Sequence, residues 1–438
     1  MTYQEALGYL DSFVNYEKRA CYNYRNSVKL ERMQRLAERL GSPHLGIKSI
    51  HIAGTKGKGS TAAMVQSILT AHGYRAGLYT SPHLVTVRER IRIGDALIGE
   101  DDTARLVGKL REIADGFSGE RPTFFELYTA LAFMYFKERD VDFAVYEVGM
   151  GGRFDATNIV TPLAVAITPV SYDHTECLGL DLRSIASEKA GIIKRYSVCV
   201  LGPQEDEALG AIESIAASKD AALYRVGSDI IFEDAVSCDE TKEVFNVFGL
   251  FGEYPLCEIS LLGEHQIANA ATAIGIIEAL RFSGITITQG SIREGLKCVK
   301  WPGRVEVMRR DPLVILDGAH NGASAKALAR TLRRNFRFKR LLLILGISKN
   351  KDIKGIIEPL EPITDKVILT KSNIPERVEE PAAIAGFLRR TGKVTVTENL
   401  KSAIDEAFSL ANADDCVLIT GSIFLVGEAK AVLNEYKF

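Results

Sequence analysis

The sequence predicts an α/β protein with two domains, and three observations lead to this prediction. The chain has 438 residues, more than one ordinary hydrophobic core accommodates. Short apolar runs alternate with helical segments in two stretches, as they do around parallel sheets. Between these stretches Trp301, Pro302 and Gly303 cluster near 298–304. We therefore predict an N-terminal domain with a largely parallel sheet over 1–300, and a smaller C-terminal α/β domain over 301–438.

The N-terminal domain is predicted to start with helices and to continue as alternating strands and helices. Residues 1–48 have a helical pattern that ends at Gly41 and Pro43. The later strands are apolar runs without polar alternation, which indicates a sheet buried on both faces. They are predicted at 49–53, 76–80, 143–148, 163–168 and 197–202, with helices at 60–72, 101–115, 124–139, 182–190, 204–218 and 268–280. Shorter β-like runs (ALYRVG, DIIFED and FNVFGL) lie between the last two helices.

The C-terminal domain repeats the alternation after WPGR (301–304). Strands are predicted at 313–317, 340–346, 366–370, 393–397 and 416–420, and helices at 322–335, 352–360, 380–390, 400–411 and 425–436. This pattern again predicts a parallel sheet with helices on its faces.

Composition excludes several classes of protein. The chain is 46% hydrophobic and 25% charged with a net charge of −2, whereas general nucleic-acid binders carry a strong basic excess. The first residues carry no basic n-region and no long apolar core, so we expect no secretory signal, and no apolar run has the length that spans a membrane. The seven cysteines are scattered without a CxxC pair, which favours reduced thiols. We expect a cytoplasmic protein without nucleic-acid or membrane partners.

The most informative segment is HIAGTKGKGST (51–61), a strand that runs into a glycine-rich turn and a helix. Glycines let backbone N–H groups approach a phosphate, and the helix N-terminus adds partial positive charge. Lys58 can reach the outer phosphates, and the hydroxyl of Ser60 or Thr61 can face a magnesium ion. This predicts a P-loop ATPase domain that binds a nucleoside triphosphate. Because Gly59 stands where kinases and GTPases carry Ser or Thr, the loop is not of their type.

A second segment, FAVYEVGMGGRFDATN (143–158), ends a buried strand at Glu147. Its glycine-rich turn exposes Asp155, Thr157 and Asn158. A carboxylate at the carboxyl end of a strand beside the phosphate loop is well placed to bind magnesium. A dinucleotide-binding fingerprint is the alternative, but Phe154 occupies the place of its third small residue.

The third segment (166–194) places Asp173, His174 and Glu176 directly after another strand. His174 is a candidate metal ligand or substrate-positioning residue. Lys189 lies on a helix of otherwise small and apolar residues, and we interpret it as facing the metal site.

Ten motifs occur in the order seen in folylpolyglutamate synthases and dihydrofolate synthases, and the chain resembles this branch of the Mur ligase superfamily over nearly its whole length. The motifs are HIAGTKGKGST, GLYTSPHL, TFFE, EVGMGGRFDATN, DHTECLG, EKAGIIK, LLGEHQIANA, WPGR, LDGAHN and TGSIFLVG. The resemblance implies an ATPase domain, a C-terminal Rossmann-like domain and an active site between them. It also implies ATP and Mg²⁺ as cofactors, small-molecule substrates and a monomer.

Roles carried over from the resemblance form four groups. The phosphate and magnesium loop comprises Lys58, Gly59, Ser60 and Thr61, while Asn269, Arg304 and Asp317 match residues that contact ATP. The magnesium ligands are Ser81, Glu147 and His174, together with Ser60 and with Lys189, which matches a lysine that is carbamylated in these enzymes. The pterin pocket of the bifunctional bacterial enzymes is matched by Thr123, Phe125, Asp155 and Ala156. Lys58, His174 and Lys189 are the residues implied to take part in catalysis.

The implied reaction is ATP-dependent addition of L-glutamate to dihydropteroate and to reduced folates, through an acyl phosphate. One alternative is polyglutamylation of folates alone, and another is a Mur-like ligase with a different acceptor. A P-loop kinase or switch ATPase is the alternative from a different class, and it predicts Ser or Thr directly after the loop lysine. Two departures from the family pattern are Lys56 for Asn and Gly322 for Pro. Two more, SKNKD (348–352) for SDKD and SNIPERVEE (372–380), lie in the second domain and bear on the glutamate side.

Overall fold

The structure is a computed structural model that describes residues 1–18, 27–117, 119–173, 175–233, 237–374, 377–389 and 394–436. Its helices are α1 (Tyr3–Asp11), α2 (Leu30–Arg39), α3 (Lys58–Ala71), α4 (Glu100–Ala114), α5 (Phe124–Glu138), α6 (Thr175–Leu178), α7 (Leu182–Ala190), α8 (Asp206–Ser218), α9 (Glu264–Ala279), α10 (Gln289–Cys298), α11 (Gly322–Asn335), α12 (Ile353–Leu360), α13 (Pro381–Ala385), α14 (Leu400–Leu410) and α15 (Ile423–Glu435). Short 3-10 helices lie at Tyr16–Lys18, Val87–Arg90, Ala156–Ile159, Leu280–Ser283 and Glu361–Ile363.

The strands form three sheets. They are β1 (Lys48–Ala53), β2 (Ala76–Tyr79), β3 (Ile91–Ile93), β4 (Ala96–Leu97), β5 (Phe143–Glu147), β6 (Ala164–Ile167), β7 (Val198–Leu201), β8 (Ala222–Arg225), β9 (Ile231–Phe232), β10 (Ser237–Cys238), β11 (Glu243–Phe248), β12 (Glu253–Ile259), β13 (Glu306–Arg310), β14 (Leu313–Leu316), β15 (Leu341–Leu345), β16 (Lys366–Leu369), β17 (Val394–Val396) and β18 (Cys416–Thr420).

The first sheet has eight strands in the order β4-β3-β2-β5-β1-β6-β7-β8. The six strands from β2 to β8 in this order pair in parallel, and β3 pairs antiparallel with both β2 and β4. This confirms the largely parallel N-terminal sheet. The central strand β1 is buried along all but its first residue because helices cover both faces of the sheet. Its carboxyl end, followed by the phosphate loop, therefore opens in the middle of one sheet edge.

The second sheet is small and antiparallel. Strands β9 to β12 form it, and its buried side packs with α9 and α10 in one core, where Phe245, Tyr254 and Ile259 meet Ile267 and Ile292. The sequence shows its β-like runs but not their pairing. The hairpin β3–β4, the strands β10, β12 and β13, and the helix α10 were not predicted.

The third sheet has the order β13-β14-β18-β15-β16-β17, with β14 to β17 parallel and β13 antiparallel at the edge. Apolar clusters lie on both of its faces, as the unalternated strands predict. The predicted helix 380–390 is shorter, because α13 ends before Gly386. The first two sheets use residues before 300 and the third uses residues after 304, while the domain boundary at 300/301 stays a prediction.

Candidate active site

A cleft of about 590 Å³ lies where the carboxyl ends of the first and third parallel sheets face each other. It brings together nearly all the predicted site residues, from segments far apart in the sequence. Those that line it are Lys58, Gly59, Ser60, Ser81, Thr123, Phe125, Glu147, Asp155, Ala156, Lys189, Asn269, Arg304 and Asp317. Thr61 does not line the cleft, and His174 lies outside the described residues.

The phosphate loop leads from β1 into α3. Gly57 caps this helix with φ +80°, a left-handed conformation that favours glycine, and no side chain caps the helix. The amides of the first turn have no partner within the helix, so they are available to an anion. A Cβ at Gly57 would lie 2.3 Å from the side-chain oxygen of Asn269, which explains how α9 approaches the loop so closely.

Gly59 distinguishes this loop from the kinase type, and close packing explains why a glycine stands at this position. A Cβ at this position would lie 2.7 Å from Cζ2 of Trp301. On that same indole, the guanidinium carbon of Arg92 lies 4.8 Å from the ring centroid. The single tryptophan of the chain thus links the phosphate loop to the segment that joins the first and third sheets.

The two hydroxyls of the loop differ in their surroundings. Ser60 lines the cleft, whereas the hydroxyl of Thr61 is buried in α3 and has no hydrogen-bond partner among the described residues. The sequence left open which hydroxyl faces the ligand. The geometry favours Ser60.

Glu147 ends β5 and is only 5% exposed. One carboxylate oxygen accepts a hydrogen bond from the backbone N–H of Ser81 at 3.2 Å. Burial raises the pKa of Glu147, and the positive charges of Lys58 and Arg304 oppose that rise. A buried carboxylate beside an open cleft is a site that a cation would stabilise.

Lys189, on α7, reaches the other side of the phosphate loop. Its Nζ donates to the carbonyl of Gly54 at 2.8 Å, and the side chain is buried. Burial, together with the nearby ammonium of Lys58, lowers the pKa of Lys189 to about 7. A substantial fraction of this amine is therefore neutral near pH 7.

The side of the cleft beyond Glu147 is lined by α5 and by the turn after β5. Thr123 caps α5, and its hydroxyl accepts from the backbone N–H of Glu126 in a capping box. The ring of Phe125 lies against Gly149, where a Cβ would be 2.5 Å from Cζ. Burial raises the pKa of Asp155, and its hydrogen bonds oppose that rise. This wall combines one aromatic face with a rigid, polar turn.

Two residues enter the cleft from the far side of the hinge. The carboxylate of Asp317, at the end of β14, accepts from the backbone N–H of Val305 at 2.9 Å and of Ala319 at 2.8 Å. Burial raises the pKa of Asp317, while the charge of Arg304 opposes the rise. These amides hold the side chain of Asp317 where the two large sheets meet, and the guanidinium of Arg304 donates to the carbonyl of Gly303 at 3.1 Å.

The sequence analysis missed a bridge across the cleft. The ammonium of Lys351 lies 2.7 Å from one carboxylate oxygen of Asp173, and Nε2 of His320 lies 3.7 Å from the other. Ser348 and Ser422, whose hydroxyl oxygens are 3.2 Å apart, line the cleft beside them. The motifs LDGAHN, SKNKD and TGSIF signalled these positions, but only the topology brings them together.

The side-chain atoms around the cleft that could bind a metal ion are mostly oxygens. Within the described ranges, no group of three or more His, Cys, Asp or Glu side chains is arranged to hold a metal ion.

The six described cysteines are free thiols, as predicted. None of the helices in the described part of the chain is long and apolar enough to cross a membrane.

Comparisons with known proteins agree with this geometry. Residues 52–277 match the Mur ligase middle domain, and residues 303–423 match the glutamate ligase domain of Mur ligases. A dihydrofolate synthase/folylpolyglutamate synthase of Mycobacterium tuberculosis is 37% identical over 93% of this chain and 90% of its own length. The Bacillus subtilis enzyme of the same name is 35% identical over 92% and 95%. A structure of Escherichia coli FolC in complex with DHPP and ADP superposes with a TM-score of 0.86 at 30% identity, covering 99% of this chain and 98% of that one.

Proposed function

Because the chain belongs to the dihydrofolate synthase/folylpolyglutamate synthase family of Mur ligases, we propose that it uses ATP to join L-glutamate to dihydropteroate and to reduced folates. The observation that carries this proposal is the shared cleft. A phosphate loop, a buried carboxylate and an aromatic-walled pocket open into it from the first sheet, and charged residues enter it from the third.

ATP is the proposed nucleotide. The amides at the start of α3 and the ammonium of Lys58 would hold its terminal phosphates. Asn269, Arg304 and Asp317 would contact the rest of the nucleotide. The ADP in the E. coli relative supports this assignment.

Magnesium is the proposed metal, and the residues present fit it. Glu147 offers a buried carboxylate, and Ser60 and Ser81 offer hydroxyl oxygens at the same cleft, all of them hard donors of the kind Mg²⁺ prefers. When bound, the metal would supply positive charge to the phosphate oxygens. His174 and a carbamylated Lys189 complete the proposed set. The lowered pKa of Lys189 supports the modification, because only a neutral amine reacts with carbon dioxide.

The chemistry would proceed in two steps. The carboxylate of the acceptor attacks the γ-phosphorus, an acyl phosphate forms and ADP leaves. Lys58 and Arg304 offset the charge that builds up on the transferring phosphoryl group. The amine of L-glutamate then attacks the acyl carbon, so that an amide forms and inorganic phosphate leaves. Approach of the two sheets would exclude water, which otherwise hydrolyses the acyl phosphate.

We propose the bifunctional activity over polyglutamylation alone. Thr123, Phe125, Asp155 and Ala156 line the acceptor side of the cleft, and the DHPP complex of the E. coli relative supports a pterin pocket there. A monomer in the cytoplasm without nucleic-acid partners is part of the same proposal.

The test of the nucleotide site is Lys58→Ala, with exposed Lys401→Ala as the matched control. Loss of the loop ammonium should lower the rate of ADP release by roughly 10²–10³-fold, because it removes charge stabilisation from the phosphoryl transfer. The control variant should retain the wild-type rate. Full activity in Lys58→Ala would remove this lysine from the site.

A further inference from the structure

Behind the acceptor side of the cleft, three buried side chains form a hydrogen-bonded chain. Nε2 of His51, on β1, lies 2.8 Å from Oγ1 of Thr157. That hydroxyl lies 2.5 Å from Oδ1 of Asp155 and donates to it. His51 and Thr157 are fully buried, and Asp155 is 3% exposed. Of the three, only Asp155 reaches the cleft.

The direction of the hydrogen bonds follows from the chemistry of the groups. An ionised carboxylate only accepts hydrogen bonds, so the single proton of the Thr157 hydroxyl is directed at Asp155. The oxygen of Thr157 must then accept from His51, which places the imidazole proton on Nε2. Nδ1 of His51 is left unprotonated, and it has no hydrogen-bond partner among the described residues. Burial favours this neutral form of the ring.

The far end of the chain shapes the acceptor compartment. Oδ2 of Asp155 accepts from the backbone N–H groups of Gly149 at 3.0 Å and Met150 at 3.1 Å, and Oδ1 also accepts from the N–H of Thr157 at 3.0 Å. These three amides and the Thr157 hydroxyl occupy the four acceptor sites of the carboxylate. Asp155 therefore holds the turn after β5, against which the ring of Phe125 packs.

We propose that His51 is a positioning residue for the acceptor: through Thr157 and Asp155 it holds the 149–150 turn, and with it Phe125, in the geometry that binds the pterin ring. This inference rests on the proposed function. His51 also precedes the phosphate loop on the same strand, but its contacts lead away from the nucleotide. Its loss should therefore weaken acceptor binding and leave nucleotide binding unchanged.

The experiment compares His51→Phe, which keeps a ring but has no donor, with His51→Gln, whose amide can still donate. In His51→Phe we expect the KM for dihydropteroate to rise roughly tenfold and the KM for ATP to stay within about twofold, since a buried acceptor loses its donor. His51→Gln should restore most of the wild-type KM. Thr157→Val, which removes the middle hydroxyl, should reproduce the His51→Phe pattern and serves if that variant does not fold.

Tyr146→Phe is the matched control. Tyr146 is paired with His51 across β1 and β5, is fully buried, and has a hydroxyl without a hydrogen-bond partner among the described residues. The Tyr146→Phe substitution perturbs the same buried region but leaves the hydrogen bonds between His51, Thr157 and Asp155 intact. The kinetics of this variant should therefore match those of the wild type. An unchanged dihydropteroate KM in His51→Phe and Thr157→Val, or an equal rise in the KM for ATP, would overturn the inference alone. A wild-type protein that turns over neither acceptor would overturn the proposed function and the inference with it.

Discussion

Individual side chains at this cleft are ionisable groups that the fold has removed from water. Glu147, Asp155, Lys189 and Asp317 are each less than a tenth exposed. Burying such groups costs free energy unless partners or ligands compensate for it. At Asp155 and Asp317 most of the partners are backbone amides, whereas among the described residues Glu147 accepts from one backbone N–H and Lys189 donates to one carbonyl. The two residues with the fewest protein partners are the two that we assign to the metal.

The metal assignment predicts the behaviour of Glu147→Gln. An amide keeps the size of the side chain but loses its negative charge, so the Mg²⁺ concentration for half-maximal activity should rise about tenfold or more. The measurement is a Mg²⁺ titration of ADP release. Exposed Glu112→Gln, on α4, is the control and should leave the titration unchanged. An unaltered titration in Glu147→Gln would exclude this carboxylate from metal binding.

His51 predicts a pH dependence of stability. Burial lowers its pKa to about 3 in the folded protein, against about 6.5 in an unfolded chain. The unfolded state therefore binds a proton that the folded state does not, and stability is lost as the pH falls below 6.5 towards 3. Between pH 7.5 and pH 5 the loss from this one residue is about 2 kcal/mol.

Denaturant unfolding at the two pH values checks this. The difference in unfolding free energy between pH 7.5 and pH 5 should be about 2 kcal/mol larger for the wild type than for His51→Gln, since other titrating groups are shared. Trp301 provides the fluorescence signal. Equal pH dependence in both proteins would mean that folding does not lower the pKa of His51, and would contradict the prediction.

Local motifs in the sequence predicted that Lys58 and Glu147 would lie at the edge of the first sheet, and both line the cleft there. Each follows a recognisable strand, so its place at the sheet edge is implied by the strand itself. Lys351 and His320 could not be assigned, because their partner Asp173 lies more than 140 positions away. The role of Gly59 was likewise hidden, since its contact is with Trp301.

At the scale of elements, the loop after β2 connects the part of the cleft around Glu147, where we propose the metal binds, to the third sheet. Ser81 donates to Glu147 at one end of the loop. The carboxylate of Glu89 accepts from the backbone N–H groups of Leu84 at 2.7 Å, Val85 at 3.0 Å and Thr86 at 2.9 Å, which fixes the middle. The carbonyl of Leu84 then meets α15, whose first residues line the cleft.

This contact depends on Gly427 in α15, where a Cβ would lie 1.8 Å from the Leu84 oxygen. Gly427→Ala should push the loop and the helix apart and lower kcat/KM roughly tenfold or more, because misplacing groups at a site is costly. Gly210→Ala in α8 is the matched control, since a Cβ there meets open space. Steady-state kinetics of both variants check the prediction, and wild-type kcat/KM in Gly427→Ala would contradict it.

The elements that the sequence predicted are continuous apolar strands and the helices that alternate with them. All five strands predicted for the first sheet and all five for the third exist, within a few residues at their ends. The pairing of β9 to β12 was not predicted because β9 and β10 have only two residues each, because the register shifts between Phe245 and Val247, and because antiparallel pairing depends on partners elsewhere in the chain. Two helix ends differ from the predicted positions where a glycine borders the helix: α3 begins directly after Gly57, and α13 ends directly before Gly386.

At the scale of the whole molecule, the cleft exists only because two sheets present their carboxyl edges to each other. The first supplies the phosphate loop and the acceptor wall, and the third supplies Asp317, Lys351 and the start of α15. The resemblance to the family implied that the site lies between two domains. It could not predict which side chains bridge it, since that depends on how the two sheets are set against each other.

The central claim is that this cleft joins L-glutamate to both a glutamate-free pterin and a reduced folate at the expense of ATP. The direct measurement is ADP release by the purified protein with ATP, Mg²⁺ and L-glutamate, with either dihydropteroate or tetrahydrofolate as the acceptor. We predict turnover with both acceptors, each dependent on L-glutamate. Turnover with tetrahydrofolate alone would restrict the activity to polyglutamylation. If neither acceptor supports ADP release, the cleft does not catalyse this ligation and the central claim is wrong.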